Sequence, residues 1–504
     1  MSTRLSPTDA MWLHIQDSTT AADTVSLIVI EPSQLLNHKR LQQLVGSSLP
    51  RLARFRSRLV GKPLGVGQPL WAEIDDYDPS SQIHSATIRA PGGRREFAEL
   101  IGQLSTEAHN RRDRCQKPWE AWSIDGLAGG RWALAVKMSP ALNDGGVGAA
   151  SVWSRLLGSS PHDRATDQPT EPSLGPPPSL GELLADTMTD ILESQLESLW
   201  LIAEAGTGVL QAVHDQLRGA SEPDTTPPAV SSMRGPLQHN VFDAPLTERR
   251  AVAFASIPRA ELEAVSTAFG GTISNVFLAA CTLSLRAWLQ RHDTVPDDPL
   301  QMEMPLALTD ADPTAIGNPL MVGRIRIPVQ LDDPVQVLTN LHTTTERLKT
   351  ARMRDDENTG PRVGYACIGS LIPSAVVHAG MRLYNILGLR QRLAPICHGS
   401  VSYVSGPPLP AYCAGAKVVG MPTVAPLLNG RGLNITLTSH RDVLDVSVCV
   451  CPDNVPAVDD IATGIAQSVD TLVAAAQKSP RGQGRSVVTE MASHAVKHWR
   501  ARDY

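Results

Sequence analysis

Val136-Lys137-Met138-Ser139-Pro140-Ala141-Leu142-Asn143-Asp144-Gly145-Gly146 is the stretch on which the reading of this 504-residue chain turns. The apolar run Trp132 to Val136 leads into it, and the small residues Val147 to Ser151 leave it as the start of a helix. A strand that ends in a turn and feeds a helix is a common mount for chemistry, because the flanking elements hold the loop. Gly145 and Gly146 suit a backbone that turns tightly or takes positive φ. Asp144 suits a charged hydrogen bond to an arginine that fixes the loop, rather than a role on a proton.

The segments before this stretch alternate between the two periodicities of a mixed α/β chain. Ser6-Pro7-Thr8-Asp9 has the order of an N-cap, a first-turn proline and an acid at the favourable end of the helix dipole. Val25 to Ile30 is a β-branched run read as a strand, and Leu35 to Leu49 an amphipathic helix. Phe55 to Val60 and Leu70 to Ile74 read as short strands, and Phe97 to Asn110 as a helix with Leu100, Leu104 and Ala108 on one face. Trp119 to Ile124 and Trp132 to Val136 frame the turn from Asp125 to Gly130.

From Gly158 to Ser179 the composition shifts to Pro, Ser, Gly and charge and ends in Pro176-Pro177-Pro178, a linker. Gly181 to Leu217 carries a long helical pattern, apolar at Leu184, Met188, Ile191, Leu196, Leu199 and Ile202. Packing across the two halves accounts for those positions. Surface contact is the alternative, and the acidic residues Glu182, Asp186, Asp190, Glu193 and Glu197 point then to neutral lipid or protein rather than an anionic membrane. After a second Pro/Ser/Thr-rich linker (Ser221 to Pro236), strands are expected over Arg250–Ile257, Gln301–Leu308, Gly323–Val329, Gly399–Val404, Ala416–Val419, Leu433–Ser439 and Val443–Val450. Helices are expected around Leu262 and Val265, over Ser274–Leu289, Val335–Ala351 and Ala457–Gln477. The divisions are 1–158, a crossover region 159–236, 237–477, and a polar tail 478–504.

Composition removes several function classes. The chain exceeds the size at which one core stops growing, so two domains are the default. A net charge of -6 argues against nucleic acid, which calls for a clustered basic face, and 4% aromatic residues gives little for stacking bases. Seven cysteines without a C-x-x-C pair read as reduced, buried small hydrophobes of a cytoplasmic protein. No uncharged apolar stretch reaches the roughly 18–20 residues that span a bilayer, so any lipid contact is peripheral, with a membrane or a lipid inclusion. No G-x-S-x-G elbow, P-loop or G-x-G-x-x-G is present, and no metal set: His494 and His498 at i, i+4 have no third ligand nearby.

Several landmarks in order resemble the bacterial wax ester synthase/acyl-CoA:diacylglycerol acyltransferases, from Leu5 to about Ala475. Leu5-Ser6-Pro7-Thr8-Asp9-Ala10 matches the opening L-S-P-x-D-A of that family. Phe55-Arg56-Ser57-Arg58-Leu59, Pro69-Leu70-Trp71, Asp113-Arg114, Trp119-Glu120 and Ile124-Asp125-Gly126-Leu127 match later pieces. Gly317-Asn318, Ile327-Pro328, Asp333-Pro334, Gly406-Pro407 and Gly432-Leu433-Asn434-Ile435 continue the match in the second half. The resemblance implies two chloramphenicol-acetyltransferase-like α/β domains around an inter-domain channel. It implies acyl transfer from acyl-CoA, a substrate rather than a cofactor, to a hydrophobic acceptor alcohol such as diacylglycerol or a fatty alcohol. It places Trp119, Glu120, Asn275, Asn318, Gly406 and Pro407 along the substrate path.

The catalytic motif of that family is H-H-x-x-x-D-G, whose second histidine is taken as the general base for the acceptor hydroxyl. Counting back from Asp144-Gly145, the two histidine positions hold Ser139 and Pro140. Proline has no titratable group, and a serine hydroxyl without a neighbouring base is a poor nucleophile. The expected site is therefore Ser139, Pro140, Asp144 and Gly145, with both imidazoles gone. The early P-M-H-V-G segment has drifted as well, to Ala21-Ala22-Asp23-Thr24-Val25. Two outcomes stay open: an acyltransferase with weak catalysis, or a silent relative that binds acyl-CoA or lipid or partners an active enzyme. His14, His84 and His398 are the histidines that border the site in the family picture; each reads first as an ordinary surface or core histidine.

Overall fold

A computed structural model describes residues 4–5, 19–20, 22–62, 68–106, 117–142, 148–163, 169–189, 238–306, 321–358, 397–406 and 410–478. The expected helix start at Ser6-Pro7, His14, residues 164–168 and 190–236 of the crossover region (the second linker among them) and residues 479–504 with His494 and His498 lie outside these residues.

Two mixed sheets carry the fold. In the first half, β1 (Thr24–Ile30), β4 (Ile83–Thr87), β5 (Trp119–Leu127) and β6 (Arg131–Met138) line up as β1-β6-β5-β4, with β2 (Ser57–Val60) and β3 (Leu70–Glu73) forming a separate two-stranded ribbon. The second sheet has the order β7-β15-β14-β10-β8-β9. Its strands are β7 (Ala251–Pro258), β8 (Leu300–Leu306), β9 (Met321–Ile327), β10 (Gly399–Ser405), β14 (Leu433–His440) and β15 (Val443–Val450). The remaining three strands, β11 (Tyr412–Cys413), β12 (Ala416–Gly420) and β13 (Thr423–Val424), come from the second half of the sequence and join the first sheet. Val29 pairs with Gly420, Ile30 with Val418 and Val25 with Val424, all antiparallel to β1. The buried Asp445 carboxylate on β15 anchors this donated segment, accepting the Met421 N–H at 2.7 Å and the Ser256 hydroxyl at 2.9 Å.

Helices with both ends described are α1 (His38–Ser48), α2 (Arg94–Thr106), α3 (Gly148–Leu156), α4 (Arg259–Phe269), α5 (Ile273–His292), α6 (Pro334–Asn358) and α7 (Val458–Lys478), and residues 180–189 are helical as well. Strand alternation sorts them into layers. Ile28, Ile30, Leu134, Val136 and Met138 face α1 and α3 through Leu41, Val45, Val152 and Trp153. The opposite face (Val25, Leu27, Trp122, Ala133, Ala135) shares a core cluster with α2, with Val252, Phe254 and Cys449 of the second sheet, and with Cys451 just past β15. The far face of that second sheet is covered by α4 to α7 in the largest core cluster. Full burial of each large apolar side chain in these layers contributes about 1.5–3 kcal/mol before entropy is counted. Cys281, Cys397, Cys413, Cys449 and Cys451 are buried and free, and burial pushes the Cys413 and Cys449 thiols up to about 12.

Most expected elements are present, with instructive exceptions. The first helix begins at His38 rather than Leu35 because the Asn37 side chain accepts the Arg40 N–H at 2.9 Å and caps it there. Phe55 and Arg56 belong to a 3₁₀ turn (Ala53–Arg56) before β2. The Arg56 guanidinium donates to the Pro50 carbonyl at 2.9 Å and to Glu73 at 2.6 Å, pinning that turn. Among the described residues no single helix is long and apolar enough to cross a membrane; α4 and α5 reach that hydropathy only as a pair bent by 101°.

Candidate active site

The end of β6 is held between its neighbours in register: Thr24, Met138 and Trp119 lie side by side, as do Val25, Lys137 and Glu120. Ser139 extends the ladder by one bond, its N–H donating to the Pro118 carbonyl at 2.8 Å. The chain then turns. The Ser139 carbonyl accepts the Leu142 N–H at 3.0 Å and its hydroxyl oxygen accepts the Ala141 N–H at 3.4 Å, while Pro140 opens the 3₁₀ turn 140–142. A capping serine followed by a proline, which lacks the N–H that would otherwise go unpaired, is a self-consistent turn start. Ser139 is 3% exposed, Pro140 is buried, and Ala141 and Leu142 join the outer core of the first sheet.

Asp23, Lys117, Pro118, Trp119, Glu120, Lys137 and Ser139 line one narrow cleft of about 10 Å³, room for roughly a single water. Lys137 and Ser139 fall on the same face of β6 by the two-residue strand period. The Lys137 ammonium is buried and donates to the Leu104 carbonyl at 2.9 Å, in the last turn of α2. A cation there meets the negative end of the helix dipole and one of the carbonyls the helix cannot satisfy itself. On β5, Glu120 accepts from His84 Nε2 at 3.3 Å, and the His84 ring lies 5.3 Å from that of Trp122. His84 thus stands behind the Glu120 carboxylate and is not among the residues lining the cleft.

Of the expected site residues, Trp119 and Glu120 of the substrate path and Ser139 of the motif come together here, with Pro140 next in the chain. Trp119 contributes backbone rather than ring: its indole N–H donates to the Phe55 carbonyl at 2.8 Å and the ring is buried against Phe55. Asn275 lies elsewhere, in the first turn of α5. It is buried, receives the Thr272 hydroxyl at Oδ1, and donates from Nδ2 to the Thr345 hydroxyl on α6 at 2.6 Å. Gly406 follows β10, where a Cβ would sit 2.1 Å from the Ser439 carbonyl oxygen; a close strand approach requires glycine there. Asp144, Gly145, Asn318 and Pro407 lie outside the described residues.

His398 is also committed to structure. Its Nδ1 accepts the Gln301 N–H at 3.0 Å and its Nε2 donates to the Gln238 carbonyl at 2.9 Å, which fixes a neutral tautomer. Burial holds its pKa below the ordinary value. Sequence reasoning passed over Lys137 and Asp23 as site residues. The visible signal for Lys137 was a single charge inside the apolar run Trp132 to Met138, at the strand spacing from Ser139. Chemically the cleft offers two cations, the buried Lys137 and the exposed Lys117, with two carboxylates and a hydroxyl, and no imidazole lines it among the described residues.

The wax ester synthase/diacylglycerol acyltransferase catalytic domain matches residues 5–277, and the C-terminal domain of the same proteins matches residues 316–473. Two Mycobacterium tuberculosis relatives are named provisionally as diacylglycerol O-acyltransferases. Rv1760 is 27% identical over 95% of this chain and 92% of its own length, and Rv3087 is 29% identical over 94% and 98%. Among solved structures, the wax ester synthase/diacylglycerol acyltransferase of Marinobacter aquaeolei VT8 superposes with a TM-score of 0.64 at 20% identity, covering 94% of this chain and 100% of that one. The first condensation domain of the calcium-dependent antibiotic synthetase shares the fold at a TM-score of 0.52 and 15% identity, over 95% and 97% of the two chains. With both domain matches in order along its length, the chain belongs to the wax ester synthase/diacylglycerol acyltransferase family.

Proposed function

We propose that this protein handles acyl-CoA and a neutral lipid alcohol, diacylglycerol or a fatty alcohol, and transfers the acyl group only slowly. In that reaction the acceptor oxygen bonds to the thioester carbonyl carbon, the C–S bond breaks, and the hydroxyl proton passes to the departing thiolate of CoA. A positioned imidazole that carries this proton is worth about 10²–10⁴ in rate. The carrying observation is the strand end itself: Ser139 and Pro140 fill the two motif positions, and the cleft they adjoin is lined by Asp23, Glu120 and Lys137 without an imidazole. What rate remains comes from positioning the two substrates and from the Lys137 charge polarising the thioester.

A second reading, a silent paralogue that binds acyl-CoA or lipid or partners an active enzyme, draws support from the packing around Pro140. Ala141 and Leu142 are built into the core, and His84 is turned toward Glu120. Radiolabelled palmitoyl-CoA with diacylglycerol or hexadecanol, assayed on the protein and on its Ser139→His/Pro140→His variant, separates the readings. Slow but enzyme-dependent ester formation, raised at least tenfold in the variant, supports slow transfer. No ester in either protein, with palmitoyl-CoA bound by titration calorimetry, leaves the silent reading. Fast turnover by the unaltered chain overturns both.

A further inference from the structure

Strand β9 carries two arginines on the face of the second sheet turned away from its helices. Ile325 and Ile327 are buried in the core beneath α4 to α7, so by the two-residue period Arg324 and Arg326 lie on the opposite face. Across the ladder Arg324 stands beside Glu303 and Arg326 beside Gln301, both on β8. Glu303 is already engaged: its carboxylate lies 2.5 Å from the Arg431 guanidinium, which comes from the turn ahead of β14. Cys397, just before β10, shows how close these groups are. Burial pushes its thiol up to about 11, with Glu303 adding to the rise and the Arg431 and Arg324 charges pulling against it.

The cluster thus sets three guanidinium groups against one carboxylate. Among the described residues neither Arg324 nor Arg326 makes a hydrogen bond or an ion pair, and the Arg326 Nε–H is buried without a partner. Arg324 is exposed and Arg326 partly buried, so the pair sits at a rim that a solute can reach. A guanidinium nitrogen kept from water and left unpaired is unfavourable, and an anion seated there would relieve it.

We infer that Arg324, Arg326 and Arg431 form a binding site for phosphate groups, with the diphosphate and 3′-phosphate of CoA as the ligand. The inference rests on the reading above, in which acyl-CoA is a substrate. Two arginine forks on one strand face, about 7 Å apart at their Cα atoms, present several N–H donors in fixed planes. That suits linked phosphates, which offer many oxygens, better than a single carboxylate. Contacts also lead from this cluster to the Lys137 cleft. Two residues before Arg431, the Asn429 amide donates to the Thr19 hydroxyl at 3.4 Å, and the Arg250 guanidinium binds the Thr19 carbonyl. The Arg250 N–H donates to the Thr106 hydroxyl at 3.0 Å, at the end of α2, the helix whose Leu104 carbonyl holds Lys137. CoA carries its phosphates and its thioester at opposite ends of the pantetheine arm, so a phosphate site set back from the cleft is the arrangement an acyl-CoA needs. Free pyrophosphate shares the chemistry, and the experiment separates the two.

The test is titration calorimetry of the full chain with CoA, with pyrophosphate as competitor, beside an Arg324→Gln/Arg326→Gln variant whose thermal midpoint is measured first. The expected result is a CoA dissociation constant at least tenfold larger in the double variant. Added salt and pyrophosphate should both weaken CoA binding by the unaltered chain. Octanoyl-pantetheine, which has no phosphate, should bind the two proteins equally. Arg324→Gln alone, at an exposed position, should raise the CoA constant at least threefold, and it carries the test if the double variant does not fold. The inference falls if the unaltered chain does not bind CoA, or if the folded variants bind CoA as well as it does. It also falls if octanoyl-pantetheine binding drops as much as CoA binding, or if pyrophosphate binds at these arginines without displacing CoA. Arginine-dependent CoA binding without acyl transfer would leave this inference standing and remove the proposed reaction. Acyl transfer with CoA binding indifferent to the arginines would do the reverse.

Discussion

Asn275 illustrates how one position can match a family landmark and still do a structural task. Its two amide ends are used by Thr272 and Thr345, tying the start of α5 to α6. Asn275→Leu should cost about 1–3 kcal/mol in urea unfolding, the price of stranding buried hydroxyls. It should leave palmitoyl-CoA affinity by calorimetry unchanged; a weakened affinity would return Asn275 to the substrate path. His398 gives a pH prediction whose sign follows from burial. Its folded pKa is depressed below 6.5 chiefly by desolvation, so the unfolded chain takes up the proton first as pH falls. His398 therefore contributes full stability above about pH 6.5, and stability drops as pH falls from there toward the lower folded pKa, by about 1.4 kcal/mol per unit of separation. Urea midpoints from pH 7.5 to 5.0 should show this fall, shallower in His398→Asn. Buried His440, also depressed mainly by desolvation, adds a fall of the same sign. The loss of both motif histidines was legible by counting back from Asp144. The duties of Asn275 and Gly406 were not, because a hydrogen-bond partner 70 residues away and a close approach to the Ser439 backbone, with the Gly406 N–H 2.9 Å from that carbonyl, leave no mark in local sequence.

Lys137 ties two elements together: it sits on β6, and its charge closes the end of α2. Lys137→Met removes the donor from the Leu104 carbonyl and the fixed cation from a cleft that also holds Asp23 and Glu120. The expected loss is about 1.5–3 kcal/mol, the range for a hydrogen bond to a charged group. Hydrogen exchange should show it first as faster opening of the last turn of α2, residues 103–106. Unchanged exchange there would detach Lys137 from the helix. Strands and helices of the second half were legible because their patterns are strong, as in β14 and β15, where one face is continuously apolar. The edge strand β4 was missed: half-exposed on both faces and only five residues long, it has no apolar alternation to reveal it. The two-residue strands β11 and β13 were missed because a pair of residues carries no periodicity.

Pairing partners were the least legible level. The pattern of Ala416 to Val419 announced a strand but not the sheet it belongs to, since period-two alternation says nothing about which edge receives it. In the molecule that strand and its neighbours complete the first sheet from the far half of the sequence and are latched by Asp445. Residues 1–237 expressed alone should therefore fail to give a stable fold, with poor amide dispersion by NMR and a tendency to aggregate through the open β1 edge. The intact chain should unfold in one transition by fluorescence and circular dichroism. A well-dispersed spectrum from the fragment would show that the donated strands are dispensable. The division of labour between the sheets was thus readable in outline, while their interlock was not.

That interlock sets a timetable for biosynthesis. β1 leaves the ribosome early, but the strands that cover its outer edge are translated about 390 residues later, which at roughly 5–20 residues per second is a delay of about 20–80 s. Throughout that interval the nascent chain shows a hydrogen-bonding edge rich in valine and isoleucine, the kind of surface that holdase chaperones shield. Slowed translation between codons 158 and 410 should therefore lower the yield of correctly assembled protein more than the same pause placed after codon 424.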